Sequence, residues 1–274
     1  MKITVILTCY NRKEKTLAAI KSLSSGNPNQ NLRFIVVDDN SSDGTVEDVM
    51  ALGLNIEIIR GTGDLFWSGG MRKGIGCFLD NPEGSDYMLL INDDVEFYSD
   101  ILTGMIERSI VNNDAIVVGA TCDGNGDFSY GALTIINNRG NNSFGVPQKP
   151  SSENISCDTF NCNCVLVKTD VAQKLGNFDA MYKHSLADWD YGLSASRSGI
   201  KILSTENYIG VCNKNSIKGT WRDRSLSRIE RIRAKESVKG APTKQWFYYL
   251  KKNFGMRTAI IYSITPYIRI LIRK

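Results

Sequence analysis

The first ninety residues alternate between short, continuous apolar runs and segments with helical spacing. The runs are rich in β-branched residues and predict buried strands at residues 2–8, 33–37, 55–60 and 87–91. Between the first two runs, apolar residues at helical spacing predict a helix that ends near residues 24–28, and a second helix, capped by Ser42 or Asp43, is predicted to run to Met50. This rhythm predicts an α/β fold with a mostly parallel sheet and helices on both faces.

Three of the predicted strands end on polar or acidic residues. These residues are Thr8 to Arg12 after the first strand, Asp38 and Asp39 after the second, and Asn92 to Asp94 after the fourth. Ligands of such sheets bind beyond the carboxyl ends of the strands. We therefore expect the three clusters to form one site.

The acidic pair Asp93-Asp94 stands where the fourth strand passes into a loop. Two carboxylates this close repel each other unless a cation lies between them, and Mg²⁺ or Mn²⁺ prefers oxygen ligands and readily bridges a carboxylate and a diphosphate. Such a metal would neutralise the charge that develops on a departing nucleoside diphosphate. A helix cap or a solvated loop is the alternative interpretation of the same residues.

The earlier pair, Asp38-Asp39, can accept hydrogen bonds from a ribose hydroxyl or a base N–H. Residues 39–44, Asp-Asn-Ser-Ser-Asp-Gly, are also well suited to a turn, and this is the favoured interpretation of the pair taken alone. In the stretch from Gly61 to Gly74, glycines accompany aromatic and cationic residues, so that Arg72 or Lys73 could face a diphosphate. The stretch lacks the Gly-Lys-Ser/Thr of a P-loop.

A helix is predicted to open at Asp188. Its carboxylate could act as the general base that deprotonates an acceptor hydroxyl, although Asp at a helix start is often only a cap or a partner of the helix dipole. His184 is the sole histidine, which excludes a multi-histidine zinc site. It is a candidate contact for an acceptor, but an ordinary surface histidine is the favoured interpretation.

These segments, in this order, resemble family 2 glycosyltransferases, whose catalytic domain has the GT-A fold. The matching residues are Thr8-Cys9-Tyr10-Asn11-Arg12, Val36-Val37-Asp38-Asp39-Asn40-Ser41-Ser42-Asp43-Gly44, Asn92-Asp93-Asp94 and Ala187-Asp188-Trp189-Asp190. The resemblance covers residues 1–212, which we predict to be the catalytic domain, followed by a basic, partly amphipathic helical region at 213–274. It implies an inverting, metal-dependent hexosyl- or deoxyhexosyltransferase that uses a UDP-, dTDP- or GDP-linked sugar.

The resemblance also implies roles for individual residues. Asp188 would be the catalytic base, and Asp94 would be the ligand of Mg²⁺ or Mn²⁺. Asp39 would contact the nucleotide base. The other residues predicted to bind the donor are Thr8, Tyr10, Arg12, Trp67, Gly70, Arg72 and Asp93.

Two departures from the family pattern concern the metal. Asn92 replaces the first acidic residue of the family's Asp-x-Asp element, which makes Asp93 the reserve ligand beside Asp94. Ala187 stands where the family often has Glu, and Cys212 and Asn213 occupy the neighbourhood of a histidine that the family often carries. A third protein ligand is therefore not identified by the sequence.

The run from Asp64 to Met71 is similar to that of bacterial enzymes that build surface polysaccharides such as O-antigen, including rhamnosyl- and galactofuranosyl-type transferases. This similarity implies a glycan acceptor, in particular a lipid-linked oligosaccharide. The sugar itself is not identified by it.

The net charge of +4 is unevenly distributed. Residues 214–274 hold 16 Lys and Arg against 3 Asp and Glu, a net +13, whereas residues 1–213 hold 17 basic and 26 acidic side chains, a net −9. Such a tail is expected to bind an anionic membrane surface, with residues 246–249 (Trp-Phe-Tyr-Tyr) at the lipid headgroups. The alternative is a helical arm that packs on the body or forms a homodimer.

The seven cysteines lack the spacing of a disulfide framework or of paired zinc ligands, and the opening residues read as a strand rather than a signal peptide. We therefore expect a cytoplasmic protein, peripheral at the inner face of the cell membrane.

A sugar nucleotidyltransferase is one alternative function, but it would usually need a glycine-rich phosphate loop after the first strand. A nucleic-acid-binding protein is another, and the acidic body argues against it.

Overall fold

The computed structural model describes residues 1–138 and 141–272. The strands are β1 (Lys2–Cys9), β2 (Asn31–Asp38), β3 (Ile56–Arg60), β4 (Tyr87–Ile91), β5 (Glu96–Phe97), β6 (Ile116–Cys122), β7 (Phe128–Tyr130), β8 (Ala132–Asn138), β9 (Asn141–Pro147), β10 (Thr159–Phe160), β11 (Cys164–Lys168) and β12 (Ile202–Val211). The helices are α1 (Lys13–Gly26), α2 (Thr45–Met50), α3 (Phe66–Asp80), α4 (Ile101–Val111), α5 (Thr169–Leu175), α6 (Ala187–Arg197), α7 (Arg228–Glu236), α8 (Thr243–Phe254) and α9 (Met256–Ile272), with a 3₁₀ turn at Val238–Gly240.

The central sheet has the strand order β3-β2-β1-β4-β11-β6-β12-β5, and β7 pairs with β6 beside it. The first four strands of this order are parallel, as are β6 and β12. β11 is antiparallel to both of its neighbours. The small sheet β10-β8-β9 is antiparallel. The predicted mostly parallel α/β sheet is confirmed.

Two apolar clusters cover the two faces of the central sheet. Because side chains of a strand alternate between faces, Ile6 of β1 joins the cluster that contains α3, α6 and α8, whereas Val5 and Leu7 join the one that contains α1 and α4. The sheet is thus buried on both sides. This packing fixes the carboxyl ends of β1, β2 and β4 side by side.

Most of the glycine-rich stretch that the sequence marked as a phosphate contact is helix α3. A Cβ added to Gly74 would lie 2.5 Å from Ile6 Cγ2, and one added to Gly70 would overlap the side chain of Thr8. These glycines therefore let α3 lie close against β1, which a residue with a side chain would prevent.

The start of α2 also differs from the expectation. Its N-cap is Gly44, in the left-handed conformation at φ 78°, and not Ser42 or Asp43. The carboxylate of Asp43 instead accepts hydrogen bonds from the backbone N–H groups of Lys13 and Thr45, each at 3.1 Å. Asp43 thereby ties the start of α1 to the start of α2.

Helix α8, which precedes α9 in the C-terminal region, packs against α6. Tyr249 is fully buried, and the ring of Trp246 stacks on it at a centroid distance of 5.5 Å. Tyr248 donates a hydrogen bond of 2.8 Å to Asp179. The expectation that residues 246–249 lie at lipid headgroups is wrong, because these aromatic side chains form part of the apolar cluster on α6.

Within residues 1–138 and 141–272, no helix is both long enough and apolar enough to cross a bilayer.

Candidate functional site

The guanidinium of Arg12 bridges the two carboxylates that follow β4. Its Nη1 lies 2.9 Å from Asp93 Oδ1, and its Nη2 lies 2.8 Å from Asp94 Oδ2. Burial raises the pKa of Asp93 to about 7, and the positive charge of Arg12 opposes this shift. Arg12 thus supplies a positive charge to the acidic pair for which the sequence predicted a metal ion.

Asn92, the residue that departs from the family's acidic pattern, has a defined partner. Its Oδ1 accepts a hydrogen bond of 2.8 Å from Trp67 Nε1, and the Trp67 ring packs on Phe178 at 6.0 Å between centroids. This bond joins the start of α3 to the end of β4. Asn at this position therefore orients Trp67 rather than adding a third negative charge.

The residue nearest the expected third ligand is a neutral thiol. Cys212 Sγ lies 3.7 Å from Asp94 Oδ1 and accepts a hydrogen bond of 3.3 Å from Asn163 Nδ2. Burial, followed by the charge of Asp94, raises the pKa of Cys212 to about 12, so this thiol stays protonated at neutral pH. Hard cations such as Mg²⁺ prefer oxygen, which leaves Asp93 and Asp94 as the suitable ligands here.

The two carboxylates of this acidic pair suit a divalent cation whose coordination is completed by a bound ligand. Among the described residues, no group of three His, Cys, Asp or Glu side chains could hold a metal ion. Magnesium sites often use only one or two carboxylates together with oxygens of substrate phosphates. Two carboxylates at the end of β4 meet that requirement.

Asp188 lies in the first turn of α6, after Leu186 in the left-handed conformation at φ 78°. Its carboxylate accepts hydrogen bonds from the backbone N–H groups of Trp189 at 2.9 Å and Cys162 at 3.3 Å. Burial raises the pKa of Asp188 to about 6, although both backbone bonds act in the opposite direction. At neutral pH this is an ionised and unusually basic carboxylate, as a general base requires.

Five of the ten residues that the sequence predicted for the site line one cavity of about 590 Å³. They are Arg12, Trp67, Asp93, Asp94 and Asp188. They come from the ends of β1 and β4 and the starts of α3 and α6. The structure therefore joins the acidic pair and the predicted base in one space.

The other five predicted residues lie outside the lining of this cavity. Thr8 is buried, and its hydroxyl donates a hydrogen bond of 3.0 Å to the backbone oxygen of Val37. Gly70 packs on Thr8. Tyr10 is exposed to solvent, and Arg72 lies further along α3, where its backbone oxygen accepts a bond from Asn177.

Asp39, the fifth, is buried, and its carboxylate is bound to the backbone that leads into α3. It accepts hydrogen bonds from the N–H groups of Gly63, Leu65 and Phe66 at 2.8, 3.0 and 3.1 Å. Its neighbour Asp38 is bonded to Ser41 N and to the guanidinium of Arg60. The pair thus organises the backbone around the site, and contact of Asp39 with a nucleotide base stays a prediction.

The cavity also contains residues that the sequence did not select. His184, for which the sequence left open a contact with the acceptor or an ordinary surface position, is half-buried in this lining, and its contact with an acceptor stays a prediction. The loop before α6 is anchored by the buried side chains Tyr182 and Leu186, which keeps His184 at the cavity. Burial lowers the pKa of His184, and nearby Lys239 lowers it further.

Lys239 and Thr220 bring the C-terminal region into the same cavity. No local motif marks these two residues. The only sequence signal for Lys239 was the contrast between the acidic residues 1–213 and the basic residues 214–274. This contrast predicts that the two regions attract each other, but it does not predict where Lys239 lies.

Comparison with known proteins identifies the family of the chain. Residues 4–175 match the model of glycosyl transferase family 2. No curated protein sequence matches the chain.

Solved GT-A structures share the fold at low sequence identity. The alignment with S. aureus TarS 1–349 covers 99% of this chain and 81% of the TarS chain, with a TM-score of 0.58 and 14% identity. The complex of TarS 1–349 with UDP-GlcNAc aligns with a TM-score of 0.59 at 13% identity, and this alignment covers 98% of this chain and 81% of the TarS chain. The mannosyltransferase PcManGT from Pyrobaculum calidifontis, in complex with GDP-Man and Mn²⁺, aligns with a TM-score of 0.59 at 12% identity. This alignment covers 98% of this chain and 73% of PcManGT. The fold class is therefore confirmed, and because the family model matches more than half of its residues, the chain belongs to glycosyl transferase family 2.

Proposed function

We propose that this glycosyltransferase moves a sugar from a nucleotide diphosphate sugar to a hydroxyl of a glycan acceptor, with inversion at the anomeric carbon. The observation that carries the proposal is the single cavity lined by the Asp93–Asp94 pair, its cationic partner Arg12 and the basic carboxylate of Asp188. The acidic pair with Arg12 suits a diphosphate and its counter-charge. Asp188 would supply the base that activates the acceptor.

At the donor end, Asp94 would hold a Mg²⁺ or Mn²⁺ ion, with Asp93 as the second ligand. The bound ion would neutralise negative charge on the departing nucleoside diphosphate. Arg12 would then leave the carboxylates and turn its charge towards the phosphates, where guanidinium groups bind well. Lys239 is the second cation in the cavity lining and would support the same charge.

At the acceptor end, Asp188 would take the proton of the attacking hydroxyl. As that oxygen bonds to the anomeric carbon, the bond from this carbon to the phosphate oxygen breaks, and the nucleoside diphosphate leaves with the electron pair. Two backbone hydrogen bonds hold the Asp188 carboxylate in a fixed orientation for this step.

The donor would be a UDP-, dTDP- or GDP-linked sugar. The similar TarS structure contains UDP-GlcNAc, and the similar mannosyltransferase contains GDP-Man and Mn²⁺, which supports a nucleotide-sugar donor and a divalent ion. The acceptor would be a lipid-linked oligosaccharide in the synthesis of a bacterial surface polysaccharide such as O-antigen, reached from the inner face of the membrane. The similarity of residues 64–71 to polysaccharide-building enzymes supports this acceptor.

Slow hydrolysis of the donor tests the proposal without an acceptor. Purified protein would be incubated with UDP-, dTDP- and GDP-sugars and either Mn²⁺ or Mg²⁺, and the released nucleoside diphosphate would be quantified by chromatography. We expect one donor to be hydrolysed, and we expect a chelator to stop the reaction. If no nucleotide sugar is bound or hydrolysed with any divalent cation, the proposal is wrong.

A further inference from the structure

Helix α9 presents apolar residues on two opposite faces. One face is buried in the C-terminal region through Ala259, Ser263, Pro266 and Ile270. The other carries six aliphatic side chains that are between 45% and 74% exposed, namely Ile260, Ile261, Ile264, Ile268, Leu271 and Ile272. Residues at these intervals share one side of a helix, so the six form a continuous stripe, called here the α9 stripe. Continuous exposed apolar surface of this kind marks an interaction site in soluble proteins.

A cluster of arginines lies directly beside the α9 stripe. A cavity of about 220 Å³ is lined by Trp221, Arg222, Arg224, Arg231 and Arg269, and we call it the arginine pocket. Arg231 is 95% buried, and its Nε donates a hydrogen bond of 2.9 Å to the backbone oxygen of Trp221. Arg222 lies over the Trp221 ring at 5.3 Å.

The guanidinium groups of Arg222, Arg224 and Arg269 lie around one small cavity and repel one another, and an anion bound among them would reduce this repulsion. A phosphate group suits the pocket because guanidinium groups bind its oxygens in pairs. The side chain of Arg269 links the two features, since it lines the arginine pocket and follows Ile268 of the α9 stripe. An occupant of this surface must therefore combine phosphate with hydrocarbon.

We propose that the α9 stripe and the arginine pocket form a docking surface for an anionic phospholipid bilayer. α9 lies in the plane of the bilayer, since its opposite face is fixed against the protein, and its aliphatic side chains enter the boundary between headgroups and acyl chains. The arginine pocket receives a lipid phosphate. Basic residues near such a surface gain further attraction from anionic lipid.

Charge complementarity favours lipid over other occupants. A second copy of the chain paired through the α9 stripe would bring a second arginine pocket to the same surface, and like charges would oppose this pairing. A nucleic acid would satisfy the arginines and leave six aliphatic side chains in water. An anionic bilayer satisfies both features at once.

The docking surface involves no residue of the catalytic cavity. The proposal adds a location to the proposed function, since a bilayer would hold the cavity near a lipid-linked acceptor. Its evidence is independent of the donor and of the chemistry, so each of the two proposals can fail alone.

Vesicle flotation with the full chain tests the docking surface. Wild-type protein would be mixed with vesicles of phosphatidylcholine alone, or with about 30 mol% phosphatidylglycerol, at about 100 mM salt, where attraction to anionic lipid is still measurable. The stripe variant is Ile264→Glu/Ile268→Glu, and its matched control is Ile110→Glu/Val111→Glu, two exposed aliphatic residues on α4. The pocket variant is Arg222→Gln/Arg224→Gln, and its matched control is Lys21→Gln/Lys174→Gln on the exposed body.

We expect the wild-type protein to bind anionic vesicles about tenfold more strongly than neutral ones, and both test variants to lose about tenfold of the anionic binding. Both controls should bind like the wild type. Wild-type protein that binds neither vesicle, or that binds both equally, overturns the proposal. A wild-type dimer in sedimentation that the stripe variant abolishes, without vesicle binding, would replace the bilayer with a second copy.

Hydrolysis of the nucleotide sugar without vesicles separates this proposal from the proposed function. We expect the stripe and pocket variants to keep wild-type hydrolysis and wild-type thermal midpoints, because the substituted side chains are exposed. Loss of vesicle binding with hydrolysis retained supports the docking surface alone. Loss of hydrolysis in either variant would show that the docking surface is not independent of the catalytic cavity.

Discussion

Lys252 of α8 donates a hydrogen bond of 2.7 Å to the buried carboxylate of Asp190. Asp190 lies two residues after the proposed base, Asp188, in the first turn of α6. The same carboxylate accepts a second bond of 2.9 Å from Asn253 Nδ2. The C-terminal region therefore holds the helix that carries this proposed base.

Replacing Lys252 by Met should destabilise the protein, because the buried carboxylate of Asp190 would lose its cationic hydrogen-bond partner. Lys252 is partly exposed, so we expect a loss of about 1–3 kcal/mol in the free energy of unfolding, less than for a fully buried pair. Urea denaturation of the variant measures the change. The matched control is Lys251→Met, which alters an exposed neighbour, and equal effects of the two substitutions would rule out the special role of the Lys252–Asp190 bond.

Replacing Asp188 by Asn should remove transfer while leaving donor binding near the wild-type level. An amide cannot take the proton of the acceptor hydroxyl, and general-base catalysis is worth about 10²–10⁴ in rate. Single-turnover assays give the rate, and titration calorimetry gives the donor affinity. Asp170→Asn, on the exposed surface of α5, is the control. Weak donor binding by Asp188→Asn would instead make Asp188 a structural residue.

The pH dependence of transfer should report the ionisation of Asp188. Because burial raises the pKa of this carboxyl to about 6, the ionised base is lost as the pH falls through that value. We expect kcat/KM, measured at saturating divalent cation so that Asp93 is ionised, to fall about tenfold per pH unit below this range and to be level above it. A profile that stays level down to pH about 4, the ordinary range of an aspartic acid, would contradict the raised pKa.

The same shift has a consequence for stability. A carboxyl whose pKa is higher in the folded than in the unfolded state favours folding when it is protonated. The contribution of Asp188 to stability should therefore increase as the pH falls from about 6 to about 4, between the folded and the unfolded pKa. Unfolding curves of wild type and Asp188→Asn across this range measure it, and a parallel course of the two would count against it.

Replacing Trp67 by Phe should weaken donor binding. The ring that packs on Phe178 is largely kept, but the hydrogen bond from Nε1 to Asn92 is lost beside the acidic pair. We expect donor affinity to fall about fivefold, the effect of about 1 kcal/mol for one hydrogen bond. Trp246→Phe is the matched control, since it also loses one indole hydrogen bond, to Tyr262, outside the cavity. Equal donor affinity in both variants would show that Trp67 does not support the donor site.

The order of strands and polar clusters could be predicted because it depends on local periodicity. β1, β2 and β4 stand at the predicted places, and the residues after β1 and β4 meet at the cavity. The sequence did not predict α3, because glycines in a helix are unfavourable by local propensity. Gly70 and Gly74 are used there for close contact with β1, which only the tertiary structure reveals.

The partners of the charged residues were harder to predict than their positions. Asp39 follows β2 as expected, but its carboxylate binds backbone 24 to 27 residues further along the chain. Lys239 reaches the cavity from the C-terminal region. Such long-range pairings have no periodic signal, so a single sequence gives their charges but not their distances.

The pairing of Arg12 with Asp93 and Asp94 gives a direct prediction for the metal. In the absence of donor, Arg12→Ala should increase the affinity for Mn²⁺, because the carboxylates lose the cation that competes for them. In the presence of a nucleoside diphosphate the same variant should bind the nucleotide more weakly, because a phosphate contact is lost. Electron paramagnetic resonance of free Mn²⁺ measures the first effect, and calorimetry measures the second. Unchanged Mn²⁺ affinity would separate Arg12 from the metal site.

Equilibrium binding of nucleotide sugars to wild-type protein and to Asp94→Ala, with and without Mn²⁺, tests the central claim most directly. The account predicts that one UDP-, dTDP- or GDP-sugar binds the wild type with Mn²⁺. It also predicts that a chelator or Asp94→Ala weakens this binding at least about tenfold, since Asp94 would hold the ion whose charge attracts the diphosphate. Equal donor affinity with and without the metal, or in wild type and Asp94→Ala, would contradict it.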